Sequence, residues 1–303
     1  MWEGIEKGKI VSKETYKGNL FCFGLGFTAK TLARSLISKN WLVSGTSRNL
    51  NLNDTLKKNG VSVYLYDGNQ VVPEITDAIQ SATHILISIP PQSSGDIVLQ
   101  QFGADFLNWG HLKWIGYISS TGVYGDTKGE WVDETSPLKP VTARGSQRLV
   151  IESSWLKMHK KYDLPVVVFR CAGIYGSGRN LLLSIKQGRA RKIKKPGHVF
   201  SRIHVEDLAQ TLEASMQRPQ PGEIYNVSDD CPSCPSETLD YACGLLNIEP
   251  PAPVSYENAE LTDMARSFYQ ANKRVSNKKI KKELDIKLQY PDYRVGLSAL
   301  IQE

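Results

Sequence analysis

The stretch that decides the fold is Phe23-Gly24-Leu25-Gly26-Phe27-Thr28-Ala29. It follows an apolar run, Asn19–Phe23, and opens into Thr28–Lys39, where Leu32, Ala33, Leu36 and Ile37 recur at helical spacing. A G-x-G-x-x-A sequence between a strand and a helix has a physical reading. The first glycine permits a tight turn, the second lets the backbone approach a pyrophosphate, and the small third residue lets helix and strand pack closely. The helix start then offers N–H groups and a positive dipole end to phosphates. Gly24, Leu25, Gly26, Phe27 and Thr28 are therefore candidate cofactor residues. The bland alternative is a plain turn, and the flanking strand and helix argue against it.

Working outward, further apolar runs fall at Trp41–Gly45, Val61–Tyr66, His84–Ile89, Lys113–Ser119 and Pro165–Arg170. Most are rich in β-branched and aromatic residues, and several hardly alternate, as suits parallel strands covered on both faces. Helical patterns lie between them, among them Gln147–Lys161 with Val150, Ile151, Trp155 and Met158 in phase. Strand alternating with helix predicts an α/β fold, a doubly wound parallel sheet of right-handed crossovers. After residue 172 glycine, proline and basic residues rise, and helices are expected near Ser236–Leu246 and Glu260–Tyr269. The expected organisation is an extension over 1–17, a dinucleotide-binding domain over 18–172, and a mixed segment over 173–303 that completes the sheet and forms a smaller lobe.

The end of the second strand, about twenty residues past the glycine loop, is where NAD enzymes carry an acid for the ribose hydroxyls. This chain has Thr46-Ser47-Arg48 instead. Arginine and hydroxyls suit a 2′-phosphate, so NADP is the expected cofactor and NAD the alternative. Asp67 ends the third strand, either accepting from the adenine amino group or serving a turn. Ile89 and Pro90, at the end of the fourth, are counted to the cofactor site.

Composition narrows the class. The 303 residues carry a net charge of +6 and 41% apolar residues, a globular balance that allows an anionic ligand. Five scattered cysteines make no disulfide scaffold and favour a reducing compartment. No apolar run approaches the ~18 residues of a membrane span, and the N-terminus lacks a signal-peptide core. A cytoplasmic protein is expected, with no membrane and no nucleic-acid partner. The basic stretches Lys186–Lys195 and Lys273–Lys282 carry no interleaved aromatics and read as surface charge with anion contact. Cys231-Pro-Ser-Cys234 lacks the second ligand pair of a zinc site, so no metal is expected.

Four more motifs follow in order: Ser119-Ser120-Thr121-Gly122-Val123-Tyr124-Gly125, Arg170-Cys171-Ala172-Gly173-Ile174-Tyr175-Gly176, Arg202-Ile203-His204-Val205-Glu206-Asp207-Leu208-Ala209 and Tyr225-Asn226-Val227. With the glycine loop they resemble the extended short-chain dehydrogenase/reductase superfamily, of the sugar-nucleotide epimerase and dehydratase type. The resemblance covers about 18–300. It implies a Rossmann sheet of roughly seven strands, a C-terminal substrate lobe, a homodimer formed through two helices of the cofactor domain, and a catalytic Ser/Thr with a Tyr-x-x-x-Lys pair. Ser120 matches the hydroxyl position, with Thr121 beside it. At the Tyr and Lys positions this chain has Arg144 and Arg148, and no tyrosine lies in 125–161. That form resembles an atypical subgroup, whose pattern also covers Met264–Tyr269, Asn272–Asn277 and Tyr290-Pro291.

Arginine cannot shuttle protons near neutral pH. Two arginines four residues apart share a helix face and could clamp a carboxylate or phosphate. The alternative is structural pairing with Asp133, Glu134 or Glu152. Tyr124, Tyr175, Lys192 and Arg202 are counted to the substrate side, and His204 to the scaffold. The expected function is an NAD(P)-binding oxidoreductase or epimerase-like protein acting on an anionic small molecule or nucleotide sugar. The rival is a catalytically silent dinucleotide sensor or regulator.

Overall fold

In β1 (Asn19–Phe23) successive side chains turn to opposite faces: Leu20 and Cys22 one way, Phe21 and Phe23 the other, all fully buried. A strand covered on both sides sits in the middle of a layered molecule, and this computed structural model places it there. The structure describes residues 16–49, 54–69, 71–92 and 94–302; all but two residues of the expected 1–17 extension lie outside them.

The first half alternates without exception: α1 (Phe27–Ile37), β2 (Leu42–Ser47), α2 (Asp54–Lys58), β3 (Ser62–Leu65), α3 (Pro73–Ser81), β4 (His84–Ile87), α4 (Ile97–Phe106) and β5 (Trp114–Ser120). A 3₁₀ turn over Thr121–Tyr124, the short β6 (Trp131–Val132), the long α5 (Ala143–Tyr162) and β7 (Val166–Cys171) follow. Then come β8 (Gly173–Tyr175), α6 (Leu181–Lys186), β9 (Lys192–Lys194), β10 (Arg202–His204), α7 (Val205–Gln217) and β11 (Ile224–Val227). The chain closes with α8 (Pro235–Leu245), β12 (Pro253–Ser255), α9 (Asp263–Phe268), β13 (Arg274–Val275), α10 (Lys278–Glu283) and α11 (Tyr293–Ala299).

Seven strands form one parallel sheet in the order β11-β7-β5-β4-β1-β2-β3. This is the doubly wound arrangement the sequence predicts. Ala29, Leu32 and Leu36 of α1 pack on one face with Leu208 and Leu212 of α7 and Ile280 of α10. The other face takes Ile75 of α3, Phe102 and Phe106 of α4, and Trp155 of α5. A separate cluster of Tyr175, Leu182, Ala242, Tyr293 and Leu297 forms the lobe's own core. Three two-stranded pairs, β8–β10, β9–β12 and β6–β13, tie the lobe together and to the domain.

Two expectations change. Val150 does not face the core; it is 66% exposed. The buried face of α5 is Gly145, Ile151, Glu152 and Trp155, and the carboxylate of Glu152 is accommodated there because Arg170 meets it. The helix expected near Glu260–Tyr269 is also shorter, α9 spanning Asp263–Phe268, and none of its residues is fully buried. Among the described residues no helix is long and apolar enough to cross a membrane.

Candidate functional site

In a doubly wound sheet, ligands bind beyond the C-terminal strand ends, where the strand order reverses. Here that point lies between β1 and β4. Gly24 leaves β1 at φ +91°, and a Cβ there would lie 2.6 Å from Ile89 Cγ2. Gly26 is the opposite case: nothing lies within 4 Å of where its Cβ would be. It caps α1 with no side-chain hydrogen bond. Ala29 is fully buried against the sheet. An open backbone approach and a helix start left uncapped by any side chain fit the pyrophosphate of a dinucleotide. Leu25 and Thr28 are buried, and the Leu25 N–H already donates to the Thr46 carbonyl at 2.7 Å. Phe27 is half-buried, and Ile89 and Pro90 rim the crevice from the end of β4.

The ribose end is less uniform than its sequence. Thr46 is 1% exposed, and its hydroxyl accepts from the Gly24 N–H at 2.9 Å. It shapes the glycine loop and cannot turn to a phosphate. Ser47 Oγ donates to the Asn49 carbonyl and accepts from the Asn49 N–H. Arg48 is exposed at the bend that follows. Asp67 closes its own turn, accepting from the Asn69 N–H at 2.9 Å and side-chain amide at 3.0 Å, and these bonds hold its carboxyl below the usual carboxylate range.

Ser120 ends β5 inside the same crevice. Its Oγ accepts from the Gly122 N–H at 3.1 Å, which starts the 3₁₀ turn carrying Thr121. The helix opposite begins at Thr142, whose hydroxyl caps the Gly145 N–H at 3.0 Å. A Cβ on Gly145 would come 2.8 Å from the Gly122 carbonyl, so α5 and the serine loop touch through glycine. Arg144 is exposed, and among the described residues its guanidinium has no hydrogen-bond or ionic partner. Arg148 instead turns to β5, donating to the Ile118 carbonyl and, at 3.3 Å, to the Tyr117 hydroxyl.

Neither arginine pairs with the acids considered for them. Glu152 receives Arg170 at 2.6 Å and Ser119 Oγ at 2.7 Å, all buried. Arg170 also donates to Tyr124 Oη at 2.8 Å, and Tyr124 donates to Asn226 at 2.7 Å. Glu134 accepts from the Asn226 N–H at 2.7 Å, and Asp133 accepts from Thr135 and Ser136. This network draws three of the sequence motifs together, those at 119–125, 170–176 and 225–227. It also fixes Tyr124, 1% exposed, as a strut behind the serine loop; burial pushes its hydroxyl up to about 12.

On the lobe side, Tyr175 is buried in the lobe core, and its Oη lies 3.5 Å from the Asp292 carbonyl. Burial raises its pKa too. Lys192 is taken up by Asp240 at 2.6 Å. Arg202 donates to the Phe200 carbonyl and to Ser233 Oγ at 2.6 Å, bracing one wall of a cavity of about 320 Å³ that also meets His198, Arg274, Tyr293 and Arg294. His204 caps α7, accepting from the Glu206 N–H, as expected of a scaffold residue. Cys231 and Cys234 both precede α8, and Ser233 between them is held in a bridge to Phe200. Among the described residues no metal-binding group of three or more ligands occurs.

Two contributors have no sequence signal of their own. Ser88 Oγ donates to the Gly24 carbonyl at 2.6 Å, clamping the glycine loop to β4. Arg179 reaches from the turn after β8 to lie 5.7 Å from the centre of the Phe27 ring.

Comparison with known proteins agrees with this layout. Residues 111–228 match the model of the NAD dependent epimerase/dehydratase family. Protein YeeZ of Escherichia coli (strain K12) is 30% identical over 285 residues, spanning 89% of this chain and 95% of that protein. A functionally unknown conserved protein from Silicibacter pomeroyi DSS superposes with a TM-score of 0.87 at 46% identity, covering 94% of this chain and 98% of that one. The dTDP-glucose 4,6-dehydratase of Bacillus anthracis, solved in complex with NAD, has a TM-score of 0.75 at 18% identity over 94% and 96% of the two chains, a likeness of fold.

Proposed function

The chain belongs to the NAD dependent epimerase/dehydratase family, and from that membership we propose that it binds a nicotinamide dinucleotide and works as an oxidoreductase or epimerase-like enzyme on an anionic small molecule, nucleotide sugars included. The observation that carries the reading is the crevice itself: an uncapped α1 and an open Gly26 on one side, and on the other Ser120 with Arg144, whose guanidinium has no partner among the described residues. The bound cofactor would supply hydride transfer. Ser120 can donate its hydroxyl proton to a substrate oxygen, since its recorded bond only accepts. Arg144 offers a two-donor fork to a carboxylate or phosphate, and Arg148 fixes the end of β5 through Ile118. These arginines stand for the family's tyrosine and lysine, so the proton must come from elsewhere. Arg48 supports a preference for NADP over NAD. The five free thiols suit a cytoplasmic setting.

Calorimetry should show binding of both cofactors, tighter for NADPH, and a carbonyl and sugar-nucleotide panel should give turnover that Ser120→Ala abolishes while cofactor binding persists. Absence of binding by either cofactor at high micromolar concentration defeats the proposal. A second reading, a silent dinucleotide sensor, is favoured by one observation: burial raises the pKa of the nearby hydroxyls of Tyr117, Tyr124 and Tyr175, opposite to what an acid/base needs. Cofactor binding without turnover on any member of the panel would select it.

A further inference from the structure

The glycine loop is lined on its open side by a part of the chain nearly 150 residues away. Gly176 packs against the loop so closely that a Cβ there would lie 3.4 Å from the Phe27 ring edge and 2.6 Å from Val205. From Gly176 the chain makes a closed turn. The Gly176 N–H donates to the Arg179 carbonyl and the Arg179 N–H to the Gly176 carbonyl, each at 3.0 Å. Asn180 adds a side-chain bond to the Gly176 carbonyl at 3.0 Å and caps α6 through the Leu183 N–H. Gly178, at φ +72°, allows the reversal.

This turn has one charged side chain. Arg179 is exposed, and among the described residues its guanidinium makes no hydrogen bond or ion pair; its contact is the face of Phe27. Phe27 is the first residue of α1, directly after Gly26. A fixed turn therefore holds the guanidinium against the side chain of the first residue of an uncapped helix, and at the neighbouring Gly26 nothing lies within 4 Å of where a Cβ would be. A cation stacked on an aromatic ring keeps its in-plane N–H donors free for an anion.

We propose that Arg179 is a cofactor-binding residue that closes over the glycine loop and grips the pyrophosphate from the side opposite the helix start. This rests on the dinucleotide reading above and adds to it a second cationic contact, separate from Arg48, on a different part of the cofactor. It assigns the Gly176–Asn180 turn to cofactor retention rather than to the substrate.

The test is equilibrium binding, with no need of turnover. NADH fluorescence titration and ADP-ribose calorimetry are run on the wild type, Arg179→Gln, Arg179→Lys and the control Arg191→Gln, whose guanidinium bonds only carbonyls of its own loop. Loss of a charge-assisted contact to phosphate should weaken both ligands about tenfold in Arg179→Gln and less in Arg179→Lys, with Arg191→Gln unchanged. The wild-type advantage should shrink as salt is raised. Melting temperatures without ligand should match, because the side chain is exposed. If the wild type binds NADH and Arg179→Gln binds it equally well, the inference is overturned and the dinucleotide reading stands. If the wild type binds neither ligand, both fall together.

Discussion

Glu152 and Arg170 meet with 1% and 2% of their side chains exposed, deep enough that neither charge has water to fall back on. Removing one partner of such a pair costs about 3–5 kcal/mol, because the other is left charged and unpaired. Urea unfolding of Glu152→Ala should show a loss of that size. Arg144→Ala, which removes an exposed side chain with no partner among the described residues, should change stability by less than about 0.5 kcal/mol. The contrast is chemical as well as energetic. The buried arginine is already satisfied by carboxylate, tyrosine and carbonyl, whereas the exposed one is available to a ligand. Arg48 is likewise exposed, at the bend after β2, and was read as the residue for a 2′-phosphate. Arg48→Ala should weaken NADPH binding about tenfold, the range of one charge-assisted contact, and leave NADH binding nearly unchanged, by calorimetry.

At the scale of the element, α4 and α5 are fastened by one carboxylate. Asp96 Oδ1 caps α4 through the Val98 and Leu99 N–H groups, and its Oδ2 accepts from the buried Trp155 indole of α5 at 3.0 Å. Asp96→Ala should cost more than an ordinary cap, about 2–4 kcal/mol by chemical denaturation, since it also orphans the indole. The outward face of α5 carries Val150. If chains pair through this helix, Val150→Asp should lower the mass seen by light scattering while the melting temperature of the fold holds. Six of the seven strands of the main sheet were legible in sequence to within two residues, most of them because strands buried on both faces read as apolar runs; β11 was seen as a motif and not as a strand. The face of α5 was not, because Glu152 takes a core position that Arg170 and Ser119, both beyond the helix, explain. Pairs such as β6–β13 are two residues long and come from segments more than 140 apart, so no local pattern announces them. The glycine loop was legible as a motif. That Thr46 is spent on Gly24, and that Arg179 overhangs Phe27, depend on distant segments meeting.

For the whole molecule, stability should vary with pH in a defined way. Burial lowers His84 and His198 to about 4 and raises Asp229 to about 8. As pH falls from the histidines' unfolded value of 6.5 towards 4, the unfolded chain takes up protons that the folded one refuses, so stability drops. From 3.8 up to about 8 the unfolded chain has lost the Asp229 proton that the folded one keeps; below pH 6.5 the two histidines outweigh this, and above it stability drops. Urea midpoints should therefore peak near pH 6.5, and Asp229→Asn should flatten the fall on the alkaline side. The sheet's edge carries one more consequence, for synthesis. Strand β7 ends at residue 171, but its outer neighbour β11 is not complete until residue 227. While the chain leaves the ribosome, β7 must wait some fifty residues with its outer edge open, a template for pairing with other chains. A nascent chain stalled in that interval would be a substrate for chaperones. Termination there should yield aggregates rather than a free-standing nucleotide-binding half.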